Sequence, residues 1–228
     1  MASTVEGNGR IRQWHWGDAV DPLVEVLRSG GVVAIPSESS YGLAVDPGNP
    51  EAVERVYRLK TRDRGKPLLV VASGAEQLEP WVEAEAPVFA WARRLWPAPL
   101  TVVVPLRGSA TAAAGGATLA AAAGGATLAA AAGGATLAVR VPAHDRLRSL
   151  LDAIGFPLTA TSANTSGEPP ILDPGSLVSL MKPPPPGVSD LWVVDDGVLP
   201  GGAPSTLVDW ADGAPRVLRR GAFDLDDP

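Results

Sequence analysis

Lys60 and Arg62 flank a threonine in the run Lys60-Thr61-Arg62, and far along the chain stands Ser162-Ala163-Asn164. A third polar stretch, Pro36-Ser37-Glu38-Ser39-Ser40-Tyr41-Gly42-Leu43, follows an apolar run and reads as a turn. Two cations, a series of hydroxyls and a carboxamide suit an anionic ligand with polar edges, such as a nucleotide beside an amino acid. Arginine offers a planar fork for bidentate contacts and lysine a compact charge. Each element alone has a plainer reading. Cations after a helix are favoured by its dipole and are usually solvated. Serine and asparagine are common in turns. His144, in Arg140-Val141-Pro142-Ala143-His144, reads first as a helix-start residue and second as an imidazole facing a ligand.

Several chemistries find no residues here. There is no G-x-x-x-x-G-K-[ST], so a nucleotide would not sit in a P-loop, and no G-x-G-x-x-G follows a strand. His15 and His144 are the only histidines and cysteine is absent, which argues against a Ser-His-Asp triad, thiol nucleophiles and thiolate metal sites. No metal ligands are assigned.

The elements that must position these groups alternate along the chain. Asp21-Pro22 predicts a helix with the acid as N-cap, ended by Gly30-Gly31, and Val32 to Ile35 predicts a buried strand. Asn49-Pro50 repeats the cap signature, and the next helix sets Val53, Val56, Tyr57 and Lys60 on neighbouring turns. Lys60 and Arg62 then fall at or just past a helix C-terminus. Strands are expected over 68–72 and 100–104, with a Trp-rich helix around Val88, Trp91 and Leu95 between them. A strand over 137–141 leads to a helix over 145–154 closed by Gly155, and a strand over 157–161 delivers Ser162 and Asn164 to its end. Late strands are expected at 191–194, 206–209 and 216–218. Such alternation predicts an α/β domain with a mixed sheet, whose ligand groups sit at strand ends.

Length and composition set the frame. At 228 residues and 46% hydrophobic the chain makes one ordinary domain with a substantial core. The net charge of −6 counts against nucleic-acid binding as the main business, although a positive pocket can exist on an acidic protein. The N-terminal residues lack the pattern of a secretory signal, and the low-polarity region 110–139 is a poor membrane span, so a cytoplasmic protein with no membrane partner is expected. In that region the unit Ala-Thr-Leu-Ala-Ala-Ala-Ala-Gly-Gly recurs, with too few large apolar residues for a solenoid core, and reads as a mobile insertion. Pro183 to Pro186 predicts an exposed polyproline loop.

The motifs, taken together and in order, resemble the YrdC-like family. K-x-R and S-x-N are joined by Pro36 to Leu43, Gly65-Lys66-Pro67-Leu68, Leu95 to Thr101, Ala138 to His144, Thr161 to Gly167, Pro204 to Asp209 and Arg219 to Ala222. These blocks span nearly the whole chain and match the short, single-domain form. The resemblance implies a single domain over 14–222: a twisted mixed β-sheet flanked by helices, with a large concave cavity. The Ala/Gly repeat at 110–136 would be an insertion, and 1–13 and 223–228 flexible termini. Two departures stand out. Ser37 and Ser39 replace the usual threonines, which keeps the hydroxyls but removes methyls that pack and select. The repeat has no counterpart in the family pattern.

The family reaction joins L-threonine, bicarbonate and ATP to give threonylcarbamoyl-adenylate and pyrophosphate, supplying a downstream tRNA threonylcarbamoyl transferase. By resemblance Lys60, Arg62, Ser162 and Asn164 form the catalytic set. Lys60 and Arg62 would neutralise phosphate, carboxylate or carbamate charge, and both should be exposed to the pocket. Ser37, Ser39 and Tyr41 would line the threonine side, His144 the amino-acid carboxylate, and Ser205 and Arg219 the nucleotide. Lys66, Thr101, Arg140 and Thr161 complete the substrate- and nucleotide-binding set. Magnesium is expected to arrive with ATP, and direct tRNA binding to be weak or absent. Two rivals remain in view. One is an RNA-binding or ribosome-maturation module on the same fold. The other is the carbamoyl-transfer branch of hydrogenase maturation, whose cysteine-rich zinc modules a cysteine-free chain lacks.

Overall fold

The computed structural model describes residues 10–63, 66–107, 135–181 and 190–225. The glycine-alanine repeat up to residue 134 and the polyproline run therefore lie outside the described residues. In chain order the elements are β1 (Arg10–His15), α1 (Asp21–Arg28), β2 (Val32–Pro36), β3 (Tyr41–Ala44), α2 (Pro50–Lys60), β4 (Leu69–Val71), α3 (Pro87–Ala92), β5 (Leu100–Pro105), β6 (Thr136–Arg140), α4 (Asp145–Ile154), β7 (Leu158–Ser162), β8 (Asp190–Asp195), β9 (Thr206–Ala211) and β10 (Ala214–Arg219). The strands form one mixed sheet in the order β1-β8-β2-β3-β7-β4-β6-β5-β9-β10.

Alternation along the strands sets what each face carries, since successive side chains point to opposite sides. In β2, Val32 and Ala34 join a core with Val53, Val56 and Tyr57 of α2. Val33 and Ile35 join the opposite core, with Leu23 and Leu27 of α1 and Leu147, Leu150 and Leu151 of α4. This half of the sheet is covered on both faces. In the other half, Leu100, Val102 and Val104 of β5 and Leu137 and Val139 of β6 pack with Val88, Phe89 and Ala92 of α3. The pairing of Val102 with Val139 sets the alternate residues Thr101 and Arg140 side by side on the other face. That face carries polar groups instead of a helix-covered core, and it is where half of the candidate site lies.

The structure departs from the sequence reading at a few ends. Asp21 is the first helical residue and not the N-cap, which is Val20 with no side-chain cap bond. The Trp-rich helix stops at Ala92, short of Leu95. Residues 41–43, read as part of a turn, belong to β3, antiparallel to β2 and β7. Residues 10–13, read as flexible, enter the sheet as β1 beside β8. Phe223, beyond the expected domain end, packs with the β5–β6 core. The edge strand β1 escapes the reading because one face is solvated: only Trp14 is buried in it and no apolar run marks the strand.

Candidate active site

Helix α2 delivers Lys60. Asn49 caps it, accepting the Ala52 N–H at 3.1 Å, Pro50 opens it, and Lys60 closes it on the buried stripe of Val53, Val56 and Tyr57. Thr61 ends the helix in the left-handed region, φ 49°, an uncommon conformation for a β-branched residue. The turn sends Arg62 back across the following loop, where its Nε donates to Lys66 O at 3.0 Å and its Nη2 to Pro67 O at 3.1 Å.

The Lys60 ammonium, only 1% exposed, passes under the end of β7. Its Nζ donates to Asn164 O at 2.8 Å, to Asn164 Oδ1 at 2.7 Å and to Ser162 O. An ammonium has three N–H groups, and these oxygens take all of them. The Ser162 hydroxyl donates to Asn164 Oδ1 at 2.6 Å, while Asn164 Nδ2 donates to Glu168 O. The two distant motifs are thus one hydrogen-bonded unit. The expectation that Lys60 is exposed to the pocket is corrected: the stripe on which it sits is the core-facing stripe of α2. Burial, and then the neighbouring Arg62 charge, pull the Lys60 pKa from 10.5 to about 8. Burial likewise lowers Arg62 from its usual value.

A second cluster lies on the polar face of β5 and β6. Thr101, 1% exposed, shares a 2.7 Å hydrogen bond with the Ser205 hydroxyl. Arg219 Nη2 donates to Ser205 O at 2.9 Å. Burial, and then the charge of nearby Arg140, lower the Arg219 pKa. Gly221 makes this corner possible, because a Cβ there would meet Pro204 O at 2.1 Å and Ser205 C at 2.5 Å. Arg140 ion-pairs through Nη2 with Glu38, whose Oε1 accepts the Ala143 N–H at 2.6 Å. Glu38 belongs to the tip of the β2–β3 hairpin, and β3 pairs Gly42 with Ser162. The hairpin therefore bridges the two clusters.

The other predicted residues fall in three situations. Ser37 and Ser39, both half-buried, stand at the hairpin tip on either side of Glu38, and the Ser37 hydroxyl donates to Ser40 O at 2.7 Å. Thr161 is half-buried beside Ser162 and the Lys66 side chain is exposed beyond Arg62. Tyr41 is fully buried, its hydroxyl donating to Gly197 O at 2.9 Å and accepting the Asp196 N–H at 3.0 Å. His144 caps α4: its Nδ1 accepts the Leu147 N–H at 3.1 Å, and its Nε2 meets Asp196 Oδ2 at 3.0 Å. Both ring nitrogens of His144 and the Tyr41 hydroxyl thus face protein partners. Asp196 gathers this corner. Burial pushes its carboxyl up, but hydrogen bonds from Arg146 and Trp16 and the nearby His144 outweigh that and hold it below the usual range. Sequence reasoning missed Glu38 and Asp196. For Glu38 the available signal was an acid inside a hydroxyl-rich turn. For Asp196 there was none, since its partners come together only in space. A cavity of about 330 Å³, bordered by Ser73, Glu76, Arg93, Trp96 and Arg148, includes none of the predicted residues.

Comparison with known proteins bears on what this arrangement does. The Sua5/YciO/YrdC family, described as telomere recombination, matches residues 25–221. A protein of Thiobacillus denitrificans named threonylcarbamoyl-AMP synthase is 38% identical over 195 residues, covering 85% of this chain and 90% of its own. One of the same name from Chromohalobacter salexigens is 34% identical over 89% of this chain and 97% of its own. Among solved structures, P. abyssi Sua5 complexed with L-threonine superposes with a TM-score of 0.72 at 28% identity, covering 95% of this chain. The chain spans 59% of that protein's length. E. coli YciO shares the fold, with a TM-score of 0.72 at 22% identity over 95% of this chain and 98% of its own.

Proposed function

Because the chain belongs to the Sua5/YciO/YrdC family, we propose that it makes threonylcarbamoyl-AMP from L-threonine, bicarbonate and ATP, with release of pyrophosphate. The observation that carries this reading is the union of Lys60, Ser162 and Asn164 with Arg62 alongside, in a chain so similar to proteins of that name.

In this reaction bicarbonate releases carbon dioxide and hydroxide, the threonine amine adds to the carbon dioxide, and the hydroxide takes the proton lost from nitrogen, leaving a carbamate and water. A carbamate oxygen then attacks the α-phosphorus of ATP, the new O–P bond forms, and the bond to the β-phosphate oxygen breaks to release pyrophosphate. Such a transfer needs alignment and neutralisation of phosphate charge more than a protein nucleophile. The residues divide that work. Lys60, its protons all taken by protein oxygens, fixes the Ser162–Asn164 turn. Arg62 and Lys66 meet the phosphates, and the exposed Ser162 hydroxyl lies where it can bond nucleotide or carbamate. Arg219 and Ser205, supported by Thr101, approach the nucleotide from the C-terminal strands. Ser37, Ser39 and Arg140, with Thr161, form the amino-acid side. Tyr41 and His144 act through the loop at Asp196 that they hold.

Among the described residues no three His, Cys, Asp or Glu side chains converge where they could hold a metal. Magnesium enters as part of the nucleotide, held by phosphate oxygens and water. The product is labile and passes to a separate transferase that modifies tRNA, in the cytoplasm. Among the described residues no helix is long and apolar enough to cross a membrane.

The test is to incubate the protein with ATP, bicarbonate and each amino acid in turn while following pyrophosphate. L-threonine should stimulate release, and Arg62→Ala should abolish it with folding unchanged, because among the described residues the Arg62 side chain donates to the loop carbonyls of Lys66 and Pro67. Release indifferent to amino acid, or wild-type turnover in the variant, rejects the assignment.

A further inference from the structure

We propose that Glu38 is a positioning residue of this site, holding the Arg140 guanidinium in the orientation that receives the carboxylate of the amino-acid substrate. The inference rests on the function proposed above and adds to it a residue to which no role has been given.

Glu38 is an acid in an unusual place. It sits at the hairpin tip between two half-buried hydroxyl residues, and its side chain is only 25% exposed against 10% for Arg140. Each carboxylate oxygen has its own task. Oε1 accepts the Ala143 N–H just beyond β6, and Oε2 lies against Arg140 Nη2. The carboxylate therefore ties the hairpin to the end of β6 and fixes Arg140 from one side. The pairing is incomplete on both sides: among the described residues Arg140 Nε and Glu38 Oε2 are each buried without a hydrogen-bond partner, so the two groups meet as an ion pair and not as a bidentate hydrogen-bonded one. A buried guanidinium N–H left without an acceptor is unfavourable, so the Arg140 guanidinium keeps unused hydrogen-bonding capacity that a carboxylate could take up.

The charge balance points the same way. Arg219 lies near enough to Arg140 for their charges to oppose each other, and Glu38 is the acid paired with Arg140. Two guanidiniums and one carboxylate leave an excess positive charge in this cluster, which an anion would neutralise. Without Glu38, repulsion from Arg219 and the length of the arginine side chain would let Arg140 turn away. A rival account makes Glu38 a stand-in that occupies the substrate carboxylate's place until substrate arrives. The two accounts predict opposite signs.

The experiment compares wild type, Glu38→Ala and Glu38→Gln, with KM for L-threonine and for ATP measured separately and melting temperature alongside. Positioning predicts that Glu38→Ala raises the threonine KM by about tenfold or more while the ATP KM stays close to wild type, the chain still folding but melting somewhat lower for want of the Ala143 and Arg140 contacts. Glu38→Gln keeps an acceptor for Ala143 but loses the charge, and should fall between the two. An unchanged or lowered threonine KM in Glu38→Ala overturns the proposal, the lowered value pointing to the stand-in. A rise in both KM values with a fall in melting temperature also overturns it, by making the effect one of folding. If Glu38→Ala does not fold, Glu38→Gln decides alone: a wild-type threonine KM rejects the proposal. If wild type shows no threonine-dependent pyrophosphate release, the proposed function fails, and calorimetric binding of L-threonine to wild type and Glu38→Gln still reads the role of Glu38.

Discussion

A buried ammonium is tolerable when each N–H meets an oxygen, and Lys60 Nζ meets Ser162 O, Asn164 O and Asn164 Oδ1. Methionine at position 60 would keep the volume and remove the charge, yet leave those buried acceptors unmatched. Each unmatched group costs about 1–3 kcal/mol, so even after relief of the buried charge Lys60→Met should lose roughly 2 kcal/mol of stability in urea unfolding. Arg62→Ala, by contrast, should unfold like wild type. The lowered Lys60 pKa adds a pH signature. Below about 8 the amine is protonated in both the folded and the unfolded chain. Between about 8 and 10.5 the unfolded chain still holds the proton and the folded chain has shed it, so this group makes stability rise with pH across that window. Unfolding free energies compared between wild type and Lys60→Met at several pH values should show that rise only in wild type.

At the scale of elements, the site depends on turns that set side chains at fixed angles. Gly221 lies inside the block from Arg219 to Ala222, and a Cβ there would run into the backbone of Pro204 to Thr206. Backbone atoms cannot step aside as a flexible side chain can. Gly221→Ala should therefore displace the Ser205–Arg219 pair, lower stability by about 2 kcal/mol or more, and weaken ATP more than threonine, as read by separate KM values. Much of this level was legible in the sequence. Asn49-Pro50 announced α2, Gly155 (φ 82°) closes α4 as expected, and Leu100, Val102 and Val104 marked the core side of β5. The stripe of Val53, Val56, Tyr57 and Lys60 also contained the news that Lys60 is buried, because a residue at i+7 shares the face of residue i. The lysine's charge concealed it. β3 was obscured by its turn-like composition, Tyr-Gly-Leu-Ala after a serine-rich tip, and its pairing with β7 depends on residues far along the chain.

For the whole molecule, charge and topology govern what partners can approach. With a net charge of −6 the protein offers phosphate chains little long-range attraction outside its site. Binding of unmodified tRNA in a filter or mobility assay near physiological salt should accordingly be weaker than about 10 μM, and a tighter complex would favour the RNA-binding alternative. Composition, capping signals and alternating apolar residues were enough to determine an α/β chain, most of its elements, and a set of cations, hydroxyls and amides able to meet an anion. They suffice because these are local properties: a 3.6-residue or two-residue period and a cap depend on near neighbours. Only the tertiary structure decided which oxygens enclose Lys60, that Glu38 reaches Arg140, and that His144 and Tyr41 turn toward Asp196. Those contacts join residues from separate strands, and their geometry follows from how the sheet is paired, which no local pattern encodes.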